Sequence, residues 1–284
     1  MNVKHPILVT KLSGEKVPFD AEKLRNSLRR AGASEADVAQ IESKIEDFIT
    51  PGMSTKAIYR KAFALLKKHA AHFAAKYKLK RAIYELGPSG FPFEKFIGAI
   101  LRASGYAVQV GQIVQGACVQ HEVDVIAQKD HQHFMIECKF HSDQRRKCDV
   151  KVPLYIHARF LDVEKMWKAQ PGHDHKFHQG WVVTNTRFTT DAIQYGLCAG
   201  MHLISWDFPA KGSLRDRIDQ LKLYPVTTLT TLTKSEKQAI LEKGIVLCKE
   251  LIQNEWLLDE WGLSNARKKR IMDECHQLCA TSGH

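Results

Sequence analysis

The stretch HEVDVIAQKDHQHFMIECKF, residues 121–140, constrains this chain more than any other. Two apolar runs, 122–127 and 134–140, flank the polar residues Gln128 to His133 and read as a β-hairpin. In the symmetric register Ala127 faces Phe134, which sets Asp124 opposite Glu137 with Cβ atoms about 5 Å apart. Side chains two apart on a strand share a face, so Lys139 stands beside Glu137. Charges in so apolar a strand are costly unless something compensates them. Two readings stay open here: a structural salt bridge, or paired carboxylates around a cation. Mg2+ suits the second, because it takes oxygen ligands and keeps several waters. Lys139 could then orient or deprotonate a water, or neutralise charge developing on a phosphate. Glu-x-Lys alone decides little, since Glu42-Ser43-Lys44 repeats it inside a predicted helix.

At 284 residues and 44% hydrophobic content the chain suits two domains, or one large domain with an appendage. It has no run of 18 apolar residues, and its first residues lack a signal-peptide core, so a cytoplasmic protein with no membrane partner is expected. Seven cysteines without a CxxC pair fit a reducing compartment. His173-x-His175-x-x-His178 lies in a Pro/Gly loop without acids or cysteines at zinc spacing, which argues against a structural zinc there. The net charge of +11 suggests a polyanionic partner. The first 90 residues hold 17 Lys+Arg against 9 Asp+Glu, so most of the excess lies outside the hairpin.

Residues 7–11 and 16–19 read as a small strand pair around Ser13-Gly14. Three capped helices follow, starting after Asp20, Ser34 and Ser54. A basic helical stretch, AKYKLKRAIYEL, leads to Gly87-Pro88-Ser89-Gly90, the strongest linker signal in the chain. Next come a helix with Phe93, Phe96, Ile97, Ile100 and Leu101 on one face, strands at 106–110, 122–127 and 134–140, and a helix over 151–168. GWVVTN and MHLISWD read as strands around a helix at 189–199, an α/β alternation. The remainder is helical.

Two resemblances rest on these residues. VTKLSGEKVPFDAEKLRNSL, the Ser54-Thr55 helix and YKLKRAIYEL resemble the ATP-cone, a small nucleotide-binding regulatory domain, over about 5–86. Lys11, Gly14, Val17, Phe19, Asp20 and Lys23-Leu24 match its pattern, while Leu12 and Ser13 replace an Arg and an Asp. The resemblance implies ATP or dATP as ligand, with Lys11 and Lys23 on phosphates, Thr55 and Tyr59 beside the nucleotide and Arg81 closing the site. Residues 91–225 resemble an Mrr-like restriction endonuclease domain of the PD-(D/E)xK nuclease superfamily. Asp124 stands for the Asp of the motif, with Val123 in the proline position, and Glu137 and Lys139 complete it. Glu94 matches an extra metal-binding glutamate of many members.

These resemblances imply a multidomain protein: a small, mainly α ATP-cone with a short strand pair (1–87), an α/β restriction-endonuclease-like domain with a central mixed sheet (91–225), and a helical C-terminal region (226–284). The implied activity is nucleotide-regulated, Mg2+- or Mn2+-dependent cleavage of double-stranded DNA by a homo-oligomer. Asp124, Glu137, the Cys138 carbonyl and Glu94 would hold the metal. The alternative is a nucleotide-sensing DNA-binding regulator with little or no cleavage. LLDEWGLSNARKKRIMDE also resembles one arm of a helix-hairpin-helix, which would bring Arg267, Lys268, Lys269 and Arg270 to DNA phosphates. A helical lid or a dimer contact is the competing reading of that tail.

Overall fold

The computed structural model describes residues 7–168 and 177–280; His173, His175 and the side chain of His178 lie outside the described residues. β1 (Leu8–Thr10) and β2 (Lys16–Pro18) pair antiparallel with Val9 opposite Val17. Their reversal passes through Gly14 at φ +85°, a conformation that favours glycine. α1 (Ala21–Arg30) begins where Asp20 accepts the Lys23 N–H at 3.0 Å. α2 (Glu35–Glu46) starts in a Ser34/Asp37 capping box, and α3 (Thr55–His69) at Ser54. Leu28, Ile41, Ile45, Ala62 and Leu66 close the core these helices share.

The basic stretch that follows forms two helices, α4 (Ala71–Tyr77) and α5 (Leu79–Tyr84), which meet at Lys78. Ala74 belongs to the N-terminal core, whereas Ala75, Leu79, Ile83 and Leu86 belong to a second and larger one. Gly87–Gly90 is therefore a fixed corner rather than the expected tether. Leu86 before it and Phe93 after it are both fully buried in the larger core. The reason is the apolar face of α5, which the C-terminal region covers, with the Thr227 hydroxyl donating to the Ala82 carbonyl at 2.7 Å.

α6 (Phe91–Ala103) leads into β3 (Ala107–Gln115), β4 (Gln120–Lys129) and β5 (Gln132–Lys139). After a short β6 (Lys147–Cys148) come α7 (Lys151–Lys168), β7 (Phe177–Thr184), β8 (Arg187–Phe188), α8 (Thr190–Cys198) and β9 (His202–Ile204). The main sheet has the order β3-β4-β5-β7-β9, antiparallel from β3 to β5 and parallel from β5 to β9. It is the mixed sheet that the resemblance implied. β3 runs five residues past its expected end at 110, because this partly exposed strand alternates glutamine with aliphatic residues instead of showing an apolar run. Residues Val125, Ala127, Phe134 and Ile136 face the core built with α6, while Ile126 and Met135 pack with Phe160 and Val163 of α7.

α9 (Leu214–Leu221), α10 (Lys234–Glu242), α11 (Cys248–Gln253) and α12 (Asn265–Cys279) finish the fold. Leu229, Ile240, Leu251, Ile271 and Leu278 join the same core as α5 and α6. The C-terminal helices thus complete the interior. Glu274, 2% exposed, accepts the Thr230 and Thr231 N–H groups and the Thr231 hydroxyl, which locks α12 to the turn before α10. No helix among the described residues is long and apolar enough to cross a membrane.

Candidate metal centre and nucleotide pocket

The β4–β5 ladder has the register expected from the sequence, with Ala127 on Phe134 and Val125 on Ile136. One residue further along, an Asp124 carboxylate oxygen accepts the Cys138 N–H at 2.7 Å. Continued by one residue past Val125 and Ile136, the same register sets Asp124 against Glu137. The far end of β5 is pinned by Asn185, which accepts the His141 N–H at 2.9 Å and donates to the His141 carbonyl at 2.8 Å. Lys139 stands opposite Thr184 on β7, which pairs with β5 from Glu137 through Lys139.

The site is acidic and partly dry. Burial raises the pKa of Glu137, and the Asp124 charge raises it further. Burial likewise pushes Asp124 up, against the pull of the Cys138 N–H. Glu94 reaches the group from the first turn of α6, and its pKa is pushed up to about 7 by burial, then by Asp124, Glu122 and Glu137. Burial and mutual repulsion thus both work against three negative charges here. Among the described residues no group of three His, Cys, Asp or Glu side chains is spaced to hold a metal alone. The donor set fits a hard cation that takes a backbone carbonyl and waters besides its carboxylates.

Two participants escape a reading of the motif. Arg159 of α7 donates to Glu137 at 2.9 Å and also to the Glu122 carbonyl, and both side chains of the ion pair are nearly buried. Glu122 lies two residues before Asp124, on the same face of β4, and period-2 spacing could have found it. Nothing local marks Arg159, which is brought in by the packing of α7. That helix is fixed in turn by Asp162, which accepts from the Cys118 and Val119 N–H groups and pairs with His121 at 2.8 Å. A Cβ on Gly116 would collide with the Asp162 carboxylate, so the β3–β4 turn closes onto α7 only with glycine there.

In the N-terminal domain, Lys11, Lys23, Thr55 and Tyr59 line one pocket of about 240 Å³ together with Phe19 and Tyr77. Lys11 is bonded to Glu15 and Lys23 to Asp20, both at 3.0 Å, exposed pairs that cost little to open. Arg81 does not close this pocket. It sits on α5 with its Nε on Glu85 at 3.0 Å and lines a neighbouring cavity, because α5 turns toward the C-terminal region to bury its apolar face. In the tail, Gly262 does take a left-handed turn (φ +60°). Arg267 is nevertheless bonded to Glu236 at 2.8 Å and Lys268 to Asp259, which leaves Lys269 and Arg270 as the exposed members of the basic run.

Fold and motif together define an ATP-cone fused to an Mrr-like restriction-endonuclease domain. Family models agree: an ATP cone domain matches residues 7–86, a restriction endonuclease domain matches 87–207, and an AF1548-like C-terminal domain matches 224–279. The chain belongs to the AF1548-like family. It is 34% identical over 180 residues to an uncharacterized protein of Archaeoglobus fulgidus, a match that spans 63% of this chain and 97% of the relative. The crystal structure of AF1548, a protein of unknown function, is 32% identical with a TM-score of 0.55, over 67% of this chain and 98% of that one. MspJI restriction endonuclease, solved with a 27-mer oligonucleotide, lies much further away at 14% identity and a TM-score of 0.34, over 54% of this chain and 32% of that one.

Proposed function

We propose that this chain is a nucleotide-regulated, Mg2+- or Mn2+-dependent endonuclease that hydrolyses phosphodiester bonds in double-stranded DNA. The observation that carries the reading is the placement of Asp124 and Glu137 on adjacent strands of one hairpin beside Lys139, with Glu94 of α6 near enough to feel their charge. Asp124, Glu137, Glu94 and the Cys138 carbonyl would hold the ion. When bound, it would neutralise charge on the scissile phosphate and make a water more acidic. Lys139 orients the attacking water or donates to the phosphate oxygens as their charge grows. Asn185, by clamping the backbone at His141, keeps Lys139 in line with Glu137.

The three-part division into 1–87, 91–225 and 226–284 is proposed as the functional one, with ATP or dATP held by Lys11, Lys23, Thr55 and Tyr59. A nucleotide can alter cleavage or self-assembly only through its difference in affinity for two arrangements. Because α4 is shared between the two cores, such a difference can pass through packed side chains. Free cysteines fit action in the cytoplasm.

The second reading is a DNA-binding regulator that cleaves little, and the Arg159–Glu137 ion pair favours it, since a cation must compete with that guanidinium. Plasmid incubated with Mg2+ or Mn2+, with and without ATP, separates the two. Cleavage is expected from the wild type, with a loss of about 100-fold or more in Asp124→Ala, Glu137→Ala and Lys139→Ala. Equal nicking by wild type and Glu137→Ala would rule the endonuclease reading out.

A further inference from the structure

Where α3 and α5 meet the C-terminal region, a second cavity of about 300 Å³ carries a dense positive charge. Arg60 and Lys67 enter it from α3, Lys78 and Arg81 from the α4–α5 junction and α5, and Lys237 from α10. One carboxylate, Glu85, bonds to both Lys78 (2.9 Å) and Arg81 (3.0 Å). Among the described residues neither Arg60 nor Lys67 has an ion-pair partner. Lys237 is only 7% exposed and donates to the Thr227 carbonyl at 2.9 Å, an oxygen it shares with the Lys78 ammonium at 3.1 Å. Two ammonium groups on one carbonyl repel each other, and burial leaves little water to screen them.

A lysine that only ties down the Thr227 carbonyl would explain Lys237 but not the rest of the wall. Tyr59 and Thr230 both line this cavity, and their hydroxyls are buried without a hydrogen-bond partner. Buried hydroxyls are rarely left unmatched, and an acceptor brought against this wall would match them. Five basic side chains and two unmatched hydroxyls around a space at the small end of ligand pockets call for a compact, multiply charged oxyanion.

We propose that this cavity binds a small molecule bearing a chain of phosphates, at a site separate from the Lys11/Lys23 pocket. The phosphates would bridge Arg60 and Lys67 of the ATP-cone to Lys237 and Thr230 of the C-terminal region. Tyr59 lines both pockets, so occupancy of one is felt at the other. A bound anion also restores the proton of Lys237, whose pKa burial and then Lys78 have pushed down to about 7, with Glu85 and Glu274 the acids that oppose them. The bridge ties the N-terminal core to the core that holds the nuclease hairpin. The inference does not depend on cleavage activity or on nucleotide binding at Lys11 and Lys23.

The test is titration calorimetry of the full chain with inorganic triphosphate and, separately, with ATP. Arg60 and Lys67 are exposed, so Arg60→Ala/Lys67→Ala should fold normally. Binding of triphosphate is expected to weaken at least tenfold in that variant and to persist in Lys11→Ala/Lys23→Ala. Tighter binding of ATP than of triphosphate at this site would identify a nucleotide as the source of the phosphates, and equal binding a bare phosphate chain. Either result supports the site. Loss of all triphosphate binding in Lys11→Ala/Lys23→Ala, or unchanged binding in Arg60→Ala/Lys67→Ala, would overturn it.

Discussion

The hairpin of the nuclease domain and the seam beneath the ATP-cone are built on one rule with opposite signs. At the hairpin, Glu94, Asp124 and Glu137 crowd together, and Glu94 keeps its proton up to about pH 7. At the seam, Lys237 faces Lys78 and gives up its proton near the same pH. Each place holds more charge of one sign than its own residues neutralise, which a fold selected for stability alone would have replaced with packing. The difference lies in what the chain supplies meanwhile. At the acidic site the counter-ion Arg159 bonds to Glu137 itself, whereas at the basic one Glu85 serves Lys78 and Arg81 and two hydroxyls stay unmatched.

The largest effect on this contrast is expected from Arg159→Met. Removing one partner of a nearly buried ion pair costs roughly 3 kcal/mol. Chemical denaturation in EDTA should show that loss, and Mg2+ should recover part of it by taking the place of the guanidinium. A loss that Mg2+ leaves untouched would mean that Glu137 does not face a cation site.

The sequence carried the acidic half of this comparison well. Strand alternation and a polar turn are local signals, and they fix the register that opposes Asp124 to Glu137. Lys11, Lys23, Thr55 and Tyr59 came from the resemblance to the ATP-cone, and the fold brings these four to one pocket. Arg159, Asn185 and Lys237 were not legible. Each reaches its place through packing between elements distant in sequence, and an amphipathic helix such as α5 or α10 says that it is covered without saying by what. The same gap explains the Gly87–Gly90 corner, where turn-forming residues were read as a tether, and Arg81, which α5 carries away from the nucleotide pocket.

Lys237→Met sharpens the basic side. With its folded pKa lowered to about 7 from 10.5, Lys237 makes the unfolded state bind more protons in that window, so stability should fall as pH drops from 10.5 toward 7. Thermal melts of Lys237→Met across this range should lack that slope. Retention of the slope would place its origin elsewhere.

A smaller effect of the opposite sign is expected from Glu94→Gln. The raised pKa of Glu94 makes the folded state bind more protons between 4.5 and about 7, so wild-type stability should decline as pH rises through that window. At pH 8 and without metal, the variant should melt about 3 °C higher than wild type, and at pH 4 the two should coincide. Coincidence at both pH values would show that Glu94 stands apart from the other carboxylates.

Titration of Mn2+ into the full chain at pH 8, free of DNA and nucleotide, tests most directly whether the crowded carboxylates form a metal centre. A saturable binding heat is expected in the wild type, abolished in Asp124→Asn and Glu137→Gln and weakened in Glu94→Gln. The same heat in all four proteins, or none in the wild type, would contradict a metal-dependent site at this hairpin.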